Sequence, residues 1–153
     1  AQDGQEATRN MHSLMELTGQ MSGTIAAVAL RSFVETAKFD HLVYKFEIYK
    51  VFLGVSDQKI EDFANHTACR LGKWYYEGDG RHCFSHLPGY REIEPAHIEG
   101  HKNAVAAIRC YFEGEMDKAL EATLAMEKAS FTVLEELERM AVAGRCDVSL
   151  LTA

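Results

Sequence analysis

Cysteine is scarce in this chain, and what there is does not form a framework. Cys69, Cys83, Cys110 and Cys146 are the four in 153 residues, with no CxxC pair and no dense spacing. A disulfide-stapled scaffold is therefore excluded, and thiols that are reduced, inert or metal-binding are expected of a cytoplasmic protein. No run approaches the ~18 apolar residues of a membrane span, and no signal peptide is visible, so direct membrane insertion is not expected. Excess positive charge is missing too: Lys and Arg number 16 against 23 Asp and Glu, and the basic residues are dispersed, which argues against nucleic acid as a partner. There is no strand-like alternation, no internal repeat, no glycine-rich phosphate loop and no Ser/His/Asp arrangement.

What the chain does have is helical periodicity. Residues 1–20 are polar, with Met11, Leu14, Met15 and Leu17 as sparse apolar positions, and read as a tail or as the end of an upstream coiled coil. The start at Ala1 rather than Met fits a piece of a longer chain. From about Met21 to Leu53 a stripe of Leu30, Val34, Ala37, His41, Tyr44, Ile48, Phe52 and Val55 recurs at steps of three and four, the signature of one buried helix face. Gly54 reads as its stop and Ser56 as the cap of a second helix over 57–76, whose apolar face is Ile60, Phe63, Ala64, Thr67, Leu71, Trp74 and Tyr75. Residues 77–90 read as a long loop, functional or packed over the core. Pro95 marks the first turn of a third helix with His97, His101, Ala104, Val105, Ile108, Tyr111 and Phe112 inward. Gly114 breaks it. A fourth helix follows over 116–142, with Met116, Leu120, Leu124, Phe131, Leu134 and Leu137 inward, until Gly144 ends it. The expected fold is all-α: an antiparallel four-helix bundle over 21–143, with an N-terminal helical extension and a C-terminal tail over 144–153.

The chemistry gathers at His97-Ile98-Glu99-Gly100-His101. Histidines four apart share a helix face and can grip one metal ion. Taken singly, each is an ordinary hydrogen-bonded core histidine, and so is His41 in the first stripe; Cys69 alone is an inert thiol. Together, three imidazoles in the apolar stripes of two helices need partners, and one shared metal satisfies them all. With Cys69 they make a His3Cys set whose donors suit a closed tetrahedral Zn2+ site. Cys69 falls on the side of the second helix opposite its apolar stripe, so that helix must bury two faces, and Gly72 one turn later lets a neighbouring backbone come close. The pattern is neither HExxH nor HxxEH, since Ile98 and Gly100 occupy the glutamate positions. A di-iron bundle fails as well: Glu94 and His97 supply one Glu-x-x-His, and no second copy exists. His82 and His86 read as surface residues.

Three strings resemble one family. Phe39-Asp40-His41-Leu42-Val43-Tyr44-Lys45, His66-Thr67-Ala68-Cys69-Arg70-Leu71-Gly72-Lys73-Trp74-Tyr75 and the His97–His101 string are similar to the bacterial chemoreceptor zinc-binding family, with 28 residues from His41 to Cys69 and 28 more to His97. The resemblance covers about residues 31–142 and maps the metal ligands onto His41, Cys69, His97 and His101. It implies a homodimeric helical bundle with zinc between helices, controlling an upstream signalling module of the same polypeptide in chemotaxis, either chemoreceptor helices or a diguanylate cyclase. The stretch Leu30-Arg31-Ser32-Phe33-Val34-Glu35 resembles the junction with a chemoreceptor signalling domain. The expected function is regulatory, not enzymatic: a response to zinc, or to oxidation of Cys69. A purely structural, zinc-stabilised dimerisation module is the alternative. His66 and Asp40 stand as candidate orienters of Cys69 and His41.

Overall fold

The computed structural model describes residues 2–151. Ala1, Thr152 and Ala153, which belong to the expected N- and C-terminal segments, lie outside the described residues. The fold is an all-α bundle: α1 (Gln2–Phe52), α2 (Arg70–Tyr76), α3 (Tyr90–Phe112) and α4 (Met116–Cys146), with one-turn helices at Ile60–Asp62, Gly80–Phe84 and Val148–Leu151. No strand occurs among the described residues.

α1 buries Leu30, Val34, Ala37, Ile48 and Val51, and His41 and Tyr44 fill the half-buried gap in that stripe. Glu138 on α4 takes Arg31 in a two-pronged ion pair at 2.7 and 2.9 Å and also pairs with Lys38. Two turns further along α1, Lys45 pairs with Glu127 at 2.8 Å, and Glu127 also accepts from the Tyr49 hydroxyl. Short side chains let α3 and α4 approach each other: Ala104 and Ala107 on one, Ala119, Ala129 and Ala141 on the other are all buried.

The second helix is shorter than its periodicity predicts. Side chains divert the backbone before α2 begins: Ser56 Oγ accepts from Gln58 N–H, Asp62 from Lys59 N–H, and Asn65 Oδ1 from both Thr67 and Ala68 N–H. Such local bonds compete with helix formation. Ser56 therefore makes a turn and does not cap a helix. The third helix starts at Tyr90, five residues before Pro95, and is capped by Gly89, whose φ of +94° and close approach to the Glu136 carbonyl (2.6 Å from where a Cβ would sit) both call for glycine. Residues 77–90 cover the core, since Phe84 and Leu87 are buried, and Phe84 stacks on Trp74 at 5.9 Å. α4 passes through Gly144, which is buried, and ends at Cys146.

On α4 the expected inward set is partly reversed. Met116, Leu120, Leu124 and Phe131 are 59–63% exposed, while Met126, Val133, Leu137 and Met140 are buried. The helix is apolar on two sides, and the side carrying its alanines packs closest. α1 shows the same excess. Met11, Leu14, Met21, Ile25, Val28, Phe39, Leu42, Phe46 and Leu53 are all exposed. They fall on a strict alternation of three- and four-residue steps, the a/d spacing of a coiled-coil seam, completed by Thr18, Ser32, Glu35 and Tyr49; the last of these is half-buried, and Leu53 follows the end of the helix.

Candidate metal centre

Four elements meet where the apolar stripes are interrupted. On α3 the stripe runs Ile93, His97, His101, Ala104 and Ile108, so the imidazoles replace two core side chains and are buried to 3% and 8% exposure. Cys69 is the N-cap of α2, its backbone extended at φ −69° and ψ 164°. This removes the conflict over a helix burying two faces, because Cys69 is not within the helix. Its Sγ lies 3.2 Å from His97 Nε2, which lies 3.1 Å from His101 Nε2. The donor atoms of Cys69, His97 and His101 all sit within 4.8 Å of one another, and three such atoms can hold one ion.

His41 is placed beside this cluster and not within it. Its ring centroid is 5.5 Å from that of His97, against 4.8 Å between His97 and His101. It lines a cavity of about 50 Å³ together with Asp40, Tyr44, Cys69, Arg70, Leu71 and His101, so it faces the cluster across a small space.

Backbone carbonyls decide which nitrogens are available. His41 Nδ1 donates to Ala37 O at 2.8 Å, and His101 Nδ1 donates to Ala64 O at 2.9 Å. A carbonyl only accepts, so each Nδ1 carries the proton and each Nε2 of the neutral ring presents a lone pair. A metal-ligating histidine is oriented in just this way, its second nitrogen donating to a carbonyl. Burial keeps the rings neutral. It pushes His97 down to about 2, helped by the neighbouring His101, His41 and His66, and His101 down to about 4; it lowers His41 as well.

Burial raises the Cys69 thiol, opposed in part by the Gly72 N–H that donates to Sγ at 3.3 Å. A bound divalent cation reverses that balance, because coordination itself deprotonates a thiol. Neutral imidazoles and a sulfur, with no carboxylate in the cluster, fit zinc in donor type and geometry.

Gly72 proves to be the hinge of the site's construction. The backbone that comes close to it is the chain's own: a Cβ there would lie 1.9 Å from the His66 carbonyl oxygen and 2.9 Å from Thr67 Cα. Only hydrogen fits, and the turn carrying Cys69 is seated on it. The orienters expected from neighbouring positions take other partners. Asp40 pairs with Arg70 Nε at 2.7 Å, tying the residue before His41 to the residue after Cys69. Sγ meets the backbone oxygen of His66 at 3.5 Å, not its ring.

The site also uses residues that the sequence reading passed over. The Tyr44 ring lies 4.8 Å from that of His101. Ser130, 5% exposed and without a hydrogen-bond partner, lines a cavity shared with His41 and His97. A lone hydroxyl in the Met126, Val133, Leu137 stripe was the available signal. The acceptor carbonyls of Ala37 and Ala64 left none. His82 and Cys83 are exposed, and so is His86, whose ring donates to the Leu150 carbonyl.

No described helix is long and apolar enough to cross a membrane. Residues 41–108 match the family described as the chemoreceptor zinc-binding domain, a span that begins on His41 and includes Cys69, His97 and His101. No curated protein and no solved structure matches the chain. Family and donor set agree on Zn2+ as the cofactor.

Proposed function

Because residues 41–108 match the chemoreceptor zinc-binding family, we propose that this chain is a cytoplasmic regulatory module, not an enzyme, which holds one Zn2+ through His41, Cys69, His97 and His101. It controls a signalling module joined through α1, in the chemotaxis context that the family name carries. The observation that carries the reading is the convergence of Cys69, His97 and His101 donor atoms within 4.8 Å, with His101 oriented from behind by a carbonyl. His41 completes the tetrahedron by closing on the small cavity between it and Cys69.

When bound, zinc supplies charge that keeps Cys69 a thiolate, the nucleophilic form. Towards an oxidant such as hypochlorous acid, the sulfur gives an electron pair to the chlorine and hydroxide leaves; water then attacks the sulfur of the sulfenyl chloride. Chloride leaves, and a sulfenic acid, a poorer ligand, remains. Cys69 also caps α2, so a change at sulfur alters both the metal and the start of that helix.

The module works as a homodimer in this reading. Support comes from the exposed three–four seam along α1 and from the exposed Leu120, Leu124 and Phe131 of α4, apolar surface beyond what a lone chain ordinarily leaves in water. A purely structural zinc site is the second reading, favoured by its place in the middle of the core.

Metal per chain, measured by mass spectrometry on protein purified without chelator beside Cys69→Ser, tests the site. About one zinc in the wild type and weaker retention in the variant is the expected result; no zinc even after addition would end the reading. Zinc affinity and the oxidant response of Cys69 then separate the sensor from the structural module.

A further inference from the structure

We propose that His66 is a reserve zinc donor, which takes the place of Cys69 when that sulfur leaves the metal. The inference rests on the zinc reading above.

Two imidazoles that share a zinc ion through one nitrogen each have ring centroids about 5 Å apart, from a Zn–N bond of ~2.0–2.1 Å, the ring radius and a tetrahedral angle. His97 and His101 meet that spacing at 4.8 Å, and His41 nearly meets it with His97 at 5.5 Å. The His66 ring stands at 6.2 Å from His97 and 6.5 Å from His101. It is therefore about 1 Å short of both at once, and its own carbonyl oxygen lies 3.5 Å from Cys69 Sγ. Too far to be a resident ligand, it is near enough to become one by a side-chain rotation.

Its surroundings permit that movement. His41 and His101 are each pinned through Nδ1 by a carbonyl. Among the described residues no hydrogen bond holds the His66 ring, which is half-buried and meets Tyr76 edge-on at 6.2 Å. Its backbone, by contrast, is fixed: the carbonyl rests on Gly72, and Asn65 Oδ1 clamps the following turn through Thr67 and Ala68 N–H. A free imidazole is thus held on a rigid mount three residues before the sulfur. Replacing thiolate by neutral imidazole keeps four donors on the ion and raises the net charge of the site by one, while Cys69 is released from its place beside the metal. The consequence is that loss of the sulfur ligand changes the site's charge without emptying it.

The test uses the full chain as wild type, His66→Ala, Cys69→Ser and the double variant, with helicity checked by circular dichroism and His66→Gln as a second replacement that keeps the turn polar. Zinc affinity is measured by chelator competition, and coordination by the visible spectrum of the Co2+-substituted protein. His66→Ala alone is expected to bind zinc within ~threefold of wild type. Cys69→Ser should bind more weakly yet keep close to one metal per chain and a four-coordinate Co2+ spectrum without the sulfur charge-transfer band. The double variant should lose a further ~10-fold or more in affinity, the scale of losing a group that shapes a metal site. Equal affinities for Cys69→Ser and the double variant would overturn the proposal. So would a loss in His66→Ala as large as in Cys69→Ser, since His66 would then be a resident ligand. A wild type that takes up no zinc at all would overturn the zinc reading itself, and this inference with it.

Discussion

On one side of the metal centre, Trp74 lies stacked on Phe33 at 4.2 Å and on Phe84 at 5.9 Å, with Leu71, Ile93, Leu137 and Met140 closed around them. On the other side the cluster consists of Ile48, Ala104, Ile108 and Met126, bordered by the half-buried Tyr44, Tyr49, Phe52, Ile60 and Phe63. The imidazoles and the sulfur occupy the join between these two cores, where α1 and α3 would otherwise carry apolar side chains. The larger cluster draws on all four helices and the covering segment, and buries its own aromatic groups. The smaller one is roofed by residues 53–69, which hold no more than one turn of 3-10 helix. A metal at the join therefore ties a self-sufficient core to a dependent one.

The largest effect that would break this contrast lies in the self-sufficient half. Trp74→Ala should cost ~3–5 kcal/mol of stability in chemical denaturation, with or without zinc, the scale of removing a large buried aromatic side chain. A loss that disappeared on adding zinc would mean that the two halves are one core. Gly72→Ala should be smaller in stability, ~1–3 kcal/mol from overpacking, but should lower zinc affinity by ~10-fold or more in chelator competition, because the His66–Cys69 turn must lift off its seat. Unchanged affinity would show that the turn adapts.

Protons sharpen the comparison further. In the metal-free fold His101 titrates near 4 and His97 near 2, below their ordinary 6.5. The unfolded chain therefore binds more protons as the pH falls. Stability from these rings is complete above about 6.5 and is lost below it, by up to ~1.4 kcal/mol per pH unit for each ring, until its own folded value is reached. Hydrogen exchange of the metal-free protein between pH 6.5 and 4 should thus rise first in residues 53–69 and around Ile108, while the Trp74 surroundings stay protected. Uniform loosening would refute the idea of a dependent half. The smallest effect belongs to Ser130→Ala. Removing a buried hydroxyl that has no partner should be neutral or stabilising by under ~1 kcal/mol.

The sequence made the bundle legible because three of its helices carry long, regular stripes, and the two histidines stand in one of them at helical spacing. Tertiary competition was not legible. Asn65, Asp62 and Ser56 were compatible with a helix by periodicity, but their side chains bond the backbone and shorten α2 to seven residues. That is why Cys69 looked misplaced: helical geometry was applied to a residue that caps a helix. α4 misled for another reason. Its largest apolar residues, Leu120, Leu124 and Phe131, were read as core, yet close packing against α3 selects the alanine side. Periodicity reports that a face is apolar and leaves open what covers it. The pinning carbonyls of Ala37 and Ala64 are backbone groups with no sequence signature at all.

α1 has one further consequence, mechanical in kind. His41 sits on a helix that runs back to Gln2 without interruption, a length of roughly 60 Å at 1.5 Å per residue. A tilt of about 5° at His41 would sweep the far end through about 5 Å. The rod magnifies angles and leaves distances along its axis unchanged. A movement too small to disturb the packing around the ion therefore arrives at the far end as a displacement comparable to a helical turn.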